Sequence, residues 1–206
     1  MEAHEIAERI HEESESEAHE PSHDMFRRFT AVYVGVVAML LAIAALGGSE
    51  AAKEMLNANI HASDTYAFYQ AKYIRQTGYE IAAEEIELLA AGSPGLPQAQ
   101  IDKTQQLVKR YRDTAARYES EPATGNGKKE LLAKAKEWEE RRDHAAAQTP
   151  NFEYSEALFQ IAIVLGSVAI VAASPALVGV SGVLAIGGIL LTLNGYLLLV
   201  PLGGGH

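Results

Sequence analysis

The chain has 206 residues, of which 27 are acidic and 17 are Lys or Arg, so its formal net charge is −10. Such an acidic balance argues against nucleic acid as a partner, because the phosphate backbone is bound mainly by basic side chains. The sequence contains no cysteine, which excludes disulfides, thiol catalysis and cysteine-based metal sites.

Charge is distributed unevenly along the chain. All Lys and Arg residues precede Tyr154, and residues 157–205 carry no formal charge. That stretch is long enough for two bilayer spans of about 20 residues each. A further apolar run begins directly after Arg27 and Arg28. We therefore predict an all-α membrane protein with three transmembrane helices. The predicted spans are residues 29–48, 154–174 and 177–201.

The N-terminal tail, residues 1–28, is acidic and rich in histidine. His4, Glu8 and His11 would share one helix face, a spacing that holds a divalent cation weakly, but no Cys or Asp completes a tetrahedral set. We therefore expect no evolved metal site and no cofactor, and a metal-responsive sensor is kept only as an alternative function. Pro21 is expected to end the short helical pattern of the tail.

The first span is predicted to continue as one helix from about residue 29 to about residue 91, since no proline interrupts residues 29–93. Beyond the membrane its apolar residues recur in heptads, a spacing typical of a coiled-coil seam. The heptad positions are Ile60, Ala67, Ile74, Ile81 and Leu88. Residues 49–153 are therefore predicted to form a helical stalk outside the membrane.

The stalk is predicted to return on two helices. Glycine and proline break the chain at residues 92–97 and 122–127, and apolar seams mark amphipathic helices at residues 101–118 and 131–145. Their combined length matches the outward arm, which favours one helix out and two helices back, end to end. In that layout the heptad seam of the arm packs against the first return helix. The alternative folds the third helix alongside the first two as a short three-helix bundle.

Each predicted span carries a stripe of small residues on one helix face. In lipid, helices associate by close backbone approach, which small side chains permit. The residues expected at helix-packing interfaces are Gly35, Ala38, Ala42, Gly166, Ala169, Gly188, Thr192 and Gly195. Two interpretations remain open. The stripes either pack against one another within a monomer or pack against other subunits of a homo-oligomer.

Two segments carry a resemblance to a known family. Residues 57–76 read NANIHASDTYAFYQAKYIRQ, and residues 157–167 read ALFQIAIVLGS. With the Glu- and His-rich start, they resemble an uncharacterised bacterial membrane family catalogued as a domain of unknown function, number four-three-three-seven. The resemblance covers most of the chain and implies a helix, a stalk and a terminal hairpin, but no activity, cofactor or catalytic residue. Members often have Arg-rich residues between the last two spans, whereas residues 174–177 here read SPAL.

These features favour a non-enzymatic protein, an oligomeric membrane scaffold or accessory subunit that presents a helical stalk to a partner. The expected partners are the lipid bilayer, further copies of the chain and a larger membrane complex. A small oligomeric pore is a second alternative, for which the spans offer only small residues and Asn194 as lining. The apolar spans lack the carboxylates, Lys and His that transporters and ion pathways usually keep, which argues against transport.

Orientation follows from the bases that flank the first span. Arg27 and Arg28 precede it directly, and the positive-inside tendency keeps such residues in the cytoplasm. We therefore expect a bacterial inner (cytoplasmic) membrane protein with a cytoplasmic N-terminus. Three spans then place the stalk in the periplasm or outside the cell.

Overall fold

The computed structural model describes residues 21–200, which form four α-helices. No strand occurs between residues 21 and 200, so the described chain is all-α, as predicted. The helices are α1 (Pro21–Ala91), α2 (Gln98–Glu119), α3 (Lys128–Ala172) and α4 (Pro175–Leu197). Helices α1, α3 and α4 are each long and apolar enough to cross a membrane.

The described residues divide into two compact units. Unit 1 comprises residues 21–52 and 146–200, and unit 2 comprises residues 53–145. The loops that separate the helices of unit 2 lie at the predicted breaks. Gly95 and Gly125 adopt φ angles of 97° and 67° there, a left-handed conformation that glycine reaches without steric penalty.

Helix α1 begins earlier than predicted. Its first residue is Pro21, whereas the sequence suggested that the long helix starts near residue 29. The short helical pattern that Pro21 was expected to end lies outside residues 21–200. Proline is well suited to the first turn, because its missing N–H would have no partner within the helix at that point. Asp24 lies in the same turn, where a carboxylate interacts favourably with the helix dipole.

Helix α3 also runs further than expected, continuing through Pro150 without a break. The predicted boundary near residue 154 between stalk and second span is therefore internal to one helix. Proline removes one backbone donor from the helix. The side-chain amide of Asn151 supplies an extra donor in this region, because its Nδ2 lies 3.0 Å from the Ala147 carbonyl oxygen.

Within unit 2, α2 and α3 follow one another along α1. Tyr79 of α1 contacts Tyr111 and Tyr118 of α2, with ring centroids 5.4 and 5.8 Å apart. Nearer the start of α1, His61 stacks on Trp138 of α3 with a centroid distance of 4.6 Å. Unit 2 therefore has the end-to-end layout of one helix against two, and not the three-helix bundle.

The face of α1 that packs in unit 2 differs from the predicted one. Ile74, Ile81 and Leu88 were expected to meet α2, but these side chains are 70%, 50% and 75% exposed. Ala58, Ala62, Thr65 and Ala83 are buried instead. Small residues let the helices approach closely, and the Thr65 hydroxyl donates to the His61 carbonyl at 2.6 Å. The predicted seams of α2 and α3 are confirmed. Their buried members are Val108, Ala115, Leu131, Ala135 and Ala145.

Candidate helix-packing interfaces

Small residues of α4 lie directly against aromatic side chains of α3 in unit 1. A Cβ added to Gly188 would stand 2.8 Å from the Phe159 ring, and one added to Gly195 would stand 2.8 Å from the Phe152 ring. Both rings are almost fully buried. Since protein interiors are close-packed, a side chain at either position would force the adjacent ring to move.

Helix α1 enters the same packing through Gly47. A Cβ on Gly47 would stand 2.5 Å from the Phe152 ring, so this ring lies between α1 and α4. Gly166 of α3 has a similar role, because a Cβ there would stand 2.6 Å from Cγ2 of Val34. Sequence reasoning missed Gly47, which looked like a tolerated helix glycine, and no local pattern distinguishes it from its neighbour Gly48.

The small-residue stripes differ in where they lie. Ala169 is buried in unit 1, together with the α3 and α4 glycines described above. Gly35, Ala38 and Ala42 of α1 are exposed, and a Cβ on Gly35 would meet none of the described atoms within 4 Å. The face of α1 that is buried in unit 1 is formed instead by Val37 and Ala44. Within residues 21–200, the stripes of α3 and α4 are thus partnered and that of α1 is not.

Hydroxyl groups connect all three helices of unit 1. The Ser181 hydroxyl of α4 donates to the Ala162 carbonyl of α3 at 2.6 Å, and it lies 2.8 Å from the Tyr33 hydroxyl of α1. Because the single proton of Ser181 is used on the carbonyl, Tyr33 is the donor in the second hydrogen bond. Buried Ser181 therefore acts as donor to α3 and as acceptor from α1.

A second hydroxyl cluster joins α3 to α4. Buried Ser155 donates to the Gly188 carbonyl at 2.8 Å and lies 2.6 Å from Thr192 Oγ1. Thr192, the half-buried polar member of the α4 stripe, also lies 2.9 Å from the Gly188 carbonyl oxygen. This carbonyl therefore meets hydroxyls from both helices.

A pair of asparagine side chains also joins α3 to α4, near the C-terminal end of α4. Asn194 Nδ2 donates to Asn151 Oδ1 at 2.6 Å and to the Val200 carbonyl at 2.7 Å. Its Oδ1 accepts from the Val200 N–H at 2.8 Å. Both asparagine side chains are thus bonded. Within the described part of the chain, no buried side-chain N or O atom is left without a hydrogen-bond partner.

Unit 2 contains a nearly buried lysine at the start of α3. Lys128 Nζ donates to Gln76 Oε1 at 2.9 Å and to Glu119 Oε2 at 3.0 Å, and it lies 4.9 Å from the centre of the Tyr73 ring. The hydrogen bond from Lys128 lowers the pKa of Glu119. This contact ties α1, α2 and α3 together, and its α1 residues belong to the segment at residues 57–76.

The loop between α2 and α3 is held by Glu130. Its carboxylate accepts from the Ser120 hydroxyl at 2.6 Å and from the Glu121 N–H at 3.1 Å, and these two bonds lower its pKa. Gly127 lies against the same carboxylate, and a Cβ there would clash with it. The loop therefore depends on a charged acceptor and on a residue without a side chain.

The exposed side of α1 in unit 2 carries a row of apolar residues that we call the outer seam. Its members are Ile60, Ala67, Ile74, Ile81 and Leu88, all of them exposed. Leu56, Phe68 and Leu89 are exposed beside it. Large exposed apolar patches are uncommon on soluble domains and often mark interaction sites.

The residues considered for metal binding give no site in the described chain. His4, Glu8 and His11 lie outside residues 21–200. Among the residues that are described, no three His, Cys, Asp or Glu side chains are close enough to share a metal ion. Glu140 and His144, four residues apart on α3, are both exposed.

Comparison with known proteins gives a family. The model of the family described as Domain of unknown function (DUF4337) matches residues 26–198. That range includes all of α2, α3 and α4, nearly all of α1, and both segments that carry the resemblance noted above. Comparisons with curated proteins and with solved structures return no match. Because the family model spans most of the sequence, the chain belongs to this family.

Proposed function

We propose that this protein is a non-enzymatic, oligomeric membrane scaffold or accessory subunit. In this proposal the apolar parts of α1, α3 and α4 cross the bilayer, and unit 2 lies in the aqueous phase as a helical stalk. The length and apolar character of the three helices support the first part. The exposed charged residues distributed over unit 2 support the second.

The hydrogen bonding of unit 1 is suited to a lipid environment. A polar group without a partner in hydrocarbon is strongly unfavourable. The polar side chains of unit 1 instead form hydrogen bonds between α3 and α4, through Ser155, Ser181, Asn151 and Asn194. Large apolar side chains such as Met39 face outward. Unit 1 thus combines an internally satisfied polar interior with an apolar exterior.

The observation that carries the scaffold role is the outer seam of unit 2. A stalk in water that exposes isoleucine and leucine along one side of a long helix has a surface suited to another protein. The exposed stripe of Gly35, Ala38 and Ala42 adds a surface suited to close helix contact in lipid. The outer seam and the exposed α1 stripe both support a homo-oligomer. The exposed apolar residues beside the seam, Leu56, Phe68 and Leu89, support a place in a larger membrane complex.

We propose that the protein lies in the bacterial cytoplasmic membrane with its N-terminus in the cytoplasm. Arg27 and Arg28 are exposed on α1 immediately before the apolar run, as the positive-inside tendency requires. The stalk is then periplasmic or extracellular. A reporter inserted at Gly125, in the loop between α2 and α3, is expected to be active only outside the cytoplasm, and cytoplasmic activity would refute this orientation.

Native mass measurement of the full chain in mild detergent tests the oligomer. We expect a mass of at least twice the single-chain value of 22.2 kDa. A spectrum that shows the single-chain mass alone would refute the oligomer. Gly35→Leu should reduce the oligomer by holding helices apart. The matched control is Gly179→Leu on α4, another exposed glycine where a Cβ would meet no described atom within 4 Å. Equal effects of the two changes would exclude the α1 stripe from the interface.

A further inference from the structure

We infer that the outer seam of α1 pairs with the same seam of a second copy, in parallel and in register. This pairing rests on the proposed membrane location of unit 1, and it names the partner of the surface that unit 2 exposes. Ile74, which is largely exposed, is the side chain that would gain most from it.

The spacing of the seam points to a helix as the partner. Its members recur every seven residues from Ile60 to Leu88, a length of roughly 42 Å at 1.5 Å per residue. A strict seven-residue repeat drifts by about 20° per heptad on an α-helix, so two such seams stay in contact by coiling around each other. The packed residues Thr65 and Tyr79 lie on roughly the opposite side of α1. Helices α2 and α3 therefore leave the outer seam accessible.

The length of the seam favours a second α1. Helix α2 has only 22 residues, and the part of α3 in unit 2 ends at residue 145. The apolar sides of both already pack against α1. Copies anchored in one membrane share an orientation, so their α1 helices run parallel. Two-fold symmetry then makes the contact self-complementary and places Ile74 opposite Ile74 of the second copy.

The middle of the seam is shaped for close contact. Ala67, Ala71 and Gly78 are exposed between the large residues, and a Cβ on Gly78 would meet no atom of residues 21–200 within 4 Å. Such small residues let two helices approach closely. Toward the end of α1, exposed Glu84 and Glu85 would lie near the same residues of the second copy. Like charges repel, so the closest contact is confined to residues 67–81.

The area of the seam explains why the pairing depends on the membrane. A strip of roughly 42 Å by 10 Å, the diameter of a helix, covers about 420 Å² per copy or about 840 Å² in total. Stable pairs in solution bury more than about 1,000 Å². Two stalks anchored in the same bilayer meet at a raised effective concentration, which offsets a small contact area. The seam is therefore suited to pairing between anchored copies.

Single cysteines test the pairing in native membranes, because the chain has no cysteine of its own. A disulfide forms only when the two Cα atoms are within about 7 Å, and in a parallel, in-register pair each seam position faces itself. Under mild oxidation, Ile74→Cys and Ile81→Cys are expected to run largely at twice the chain mass. Arg75→Cys and Glu80→Cys, exposed neighbours about 100° around the helix, should remain at the single-chain mass.

Three results would overturn the pairing. Equal crosslinking at all four positions would mean random collision, and absence of crosslinking at both seam positions would mean that the seam does not meet itself. A crosslinked product of any mass other than twice the chain would assign the seam to a different partner. If the seam cysteines fail but native mass still shows a homo-oligomer, the pairing is wrong and the oligomeric scaffold stands. If only single chains are found by native mass, the scaffold proposal itself fails.

Discussion

The close contact of Gly188 with the Phe159 ring yields a quantitative prediction. In Gly188→Ala the ring must move by about 0.6 Å to lengthen the 2.8 Å approach to an ordinary 3.4 Å contact. Phe159 is fully buried, so this movement disturbs neighbouring side chains, and overpacking of this kind costs about 1–3 kcal/mol. Replacing glycine by alanine in a helix also stabilises it by about 1 kcal/mol. The expected net change at Gly188 is therefore between zero and about 2 kcal/mol of destabilisation.

A matched control isolates the packing contribution. Gly182 lies on the same helix, and a Cβ there would meet none of the described atoms within 4 Å. Gly182→Ala therefore gains helix propensity without a clash, and the two variants should differ by about 1–3 kcal/mol, since propensity cancels between them. At about 2–4 °C per kcal/mol for a chain of this size, Gly188→Ala should melt roughly 2–12 °C below Gly182→Ala.

The assay is thermal unfolding of the full chain in mild detergent, followed by circular dichroism. Phe159→Leu combined with Gly188→Ala should recover part of the loss, because the smaller side chain makes room for the added methyl group. A double-mutant cycle measures this coupling. If Gly188→Ala is as stable as Gly182→Ala, or if Phe159→Leu shows no coupling to Gly188→Ala, the contact with the Phe159 ring does not determine which residue is tolerated at position 188.

Three further predictions concern polar groups. Ser181→Ala should destabilise the full chain in detergent by about 1–3 kcal/mol, because it leaves the Tyr33 hydroxyl without its acceptor. Tyr33→Phe should cost only about 0.5–1.5 kcal/mol. Equal losses in the two variants would contradict the assignment of Tyr33 as the donor. Because folding lowers the pKa of Glu130, its contribution is present above the ordinary glutamate value of about 4.3 and lost as pH falls through the folded value. The stability difference between wild type and Glu130→Gln, followed by the fluorescence of the single tryptophan, should therefore shrink in acid, and a constant difference would refute this. Replacing Glu84 and Glu85 by Gln should raise the disulfide yield of the seam cysteines by removing like-charge repulsion, and an unchanged yield would place these carboxylates outside the contact.

The sequence predicted the packed faces whose apolar residues recur at regular helical spacing. Val108 and Ala115 lie within a continuous apolar pattern on α2, and both are buried as expected. The packed face of α1 in unit 2 could not be found in this way, because it uses Ala58, Thr65 and Gln76. Hydropathy ranks such residues low, whereas packing selects them for size and for hydrogen bonding. The isoleucine heptad was more conspicuous and was assigned to the wrong side of the helix.

The helix ends show a similar limit. Pro150 signals a helix boundary in sequence, yet it lies inside α3, and Pro21 begins α1 at a point where the sequence did not place the start of that helix. Their outcome depends on whether neighbouring groups compensate for the missing donor, which a single sequence does not reveal. Gly47 was missed for a related reason. Its requirement for glycine comes from Phe152, more than a hundred residues away in the chain, and not from any feature of its own segment.

The hydrogen bonds between α3 and α4 restrict how these two helices can move. They occur at three levels, through Asn194, through Ser155 and through Ser181. A slip of one residue would translate α4 by about 1.5 Å and rotate its side chains by about 100°, which would break all three levels at once. Gradual sliding of one helix along the other is therefore disfavoured, and a conformational change within unit 1 is expected to move α4 together with the part of α3 that it contacts.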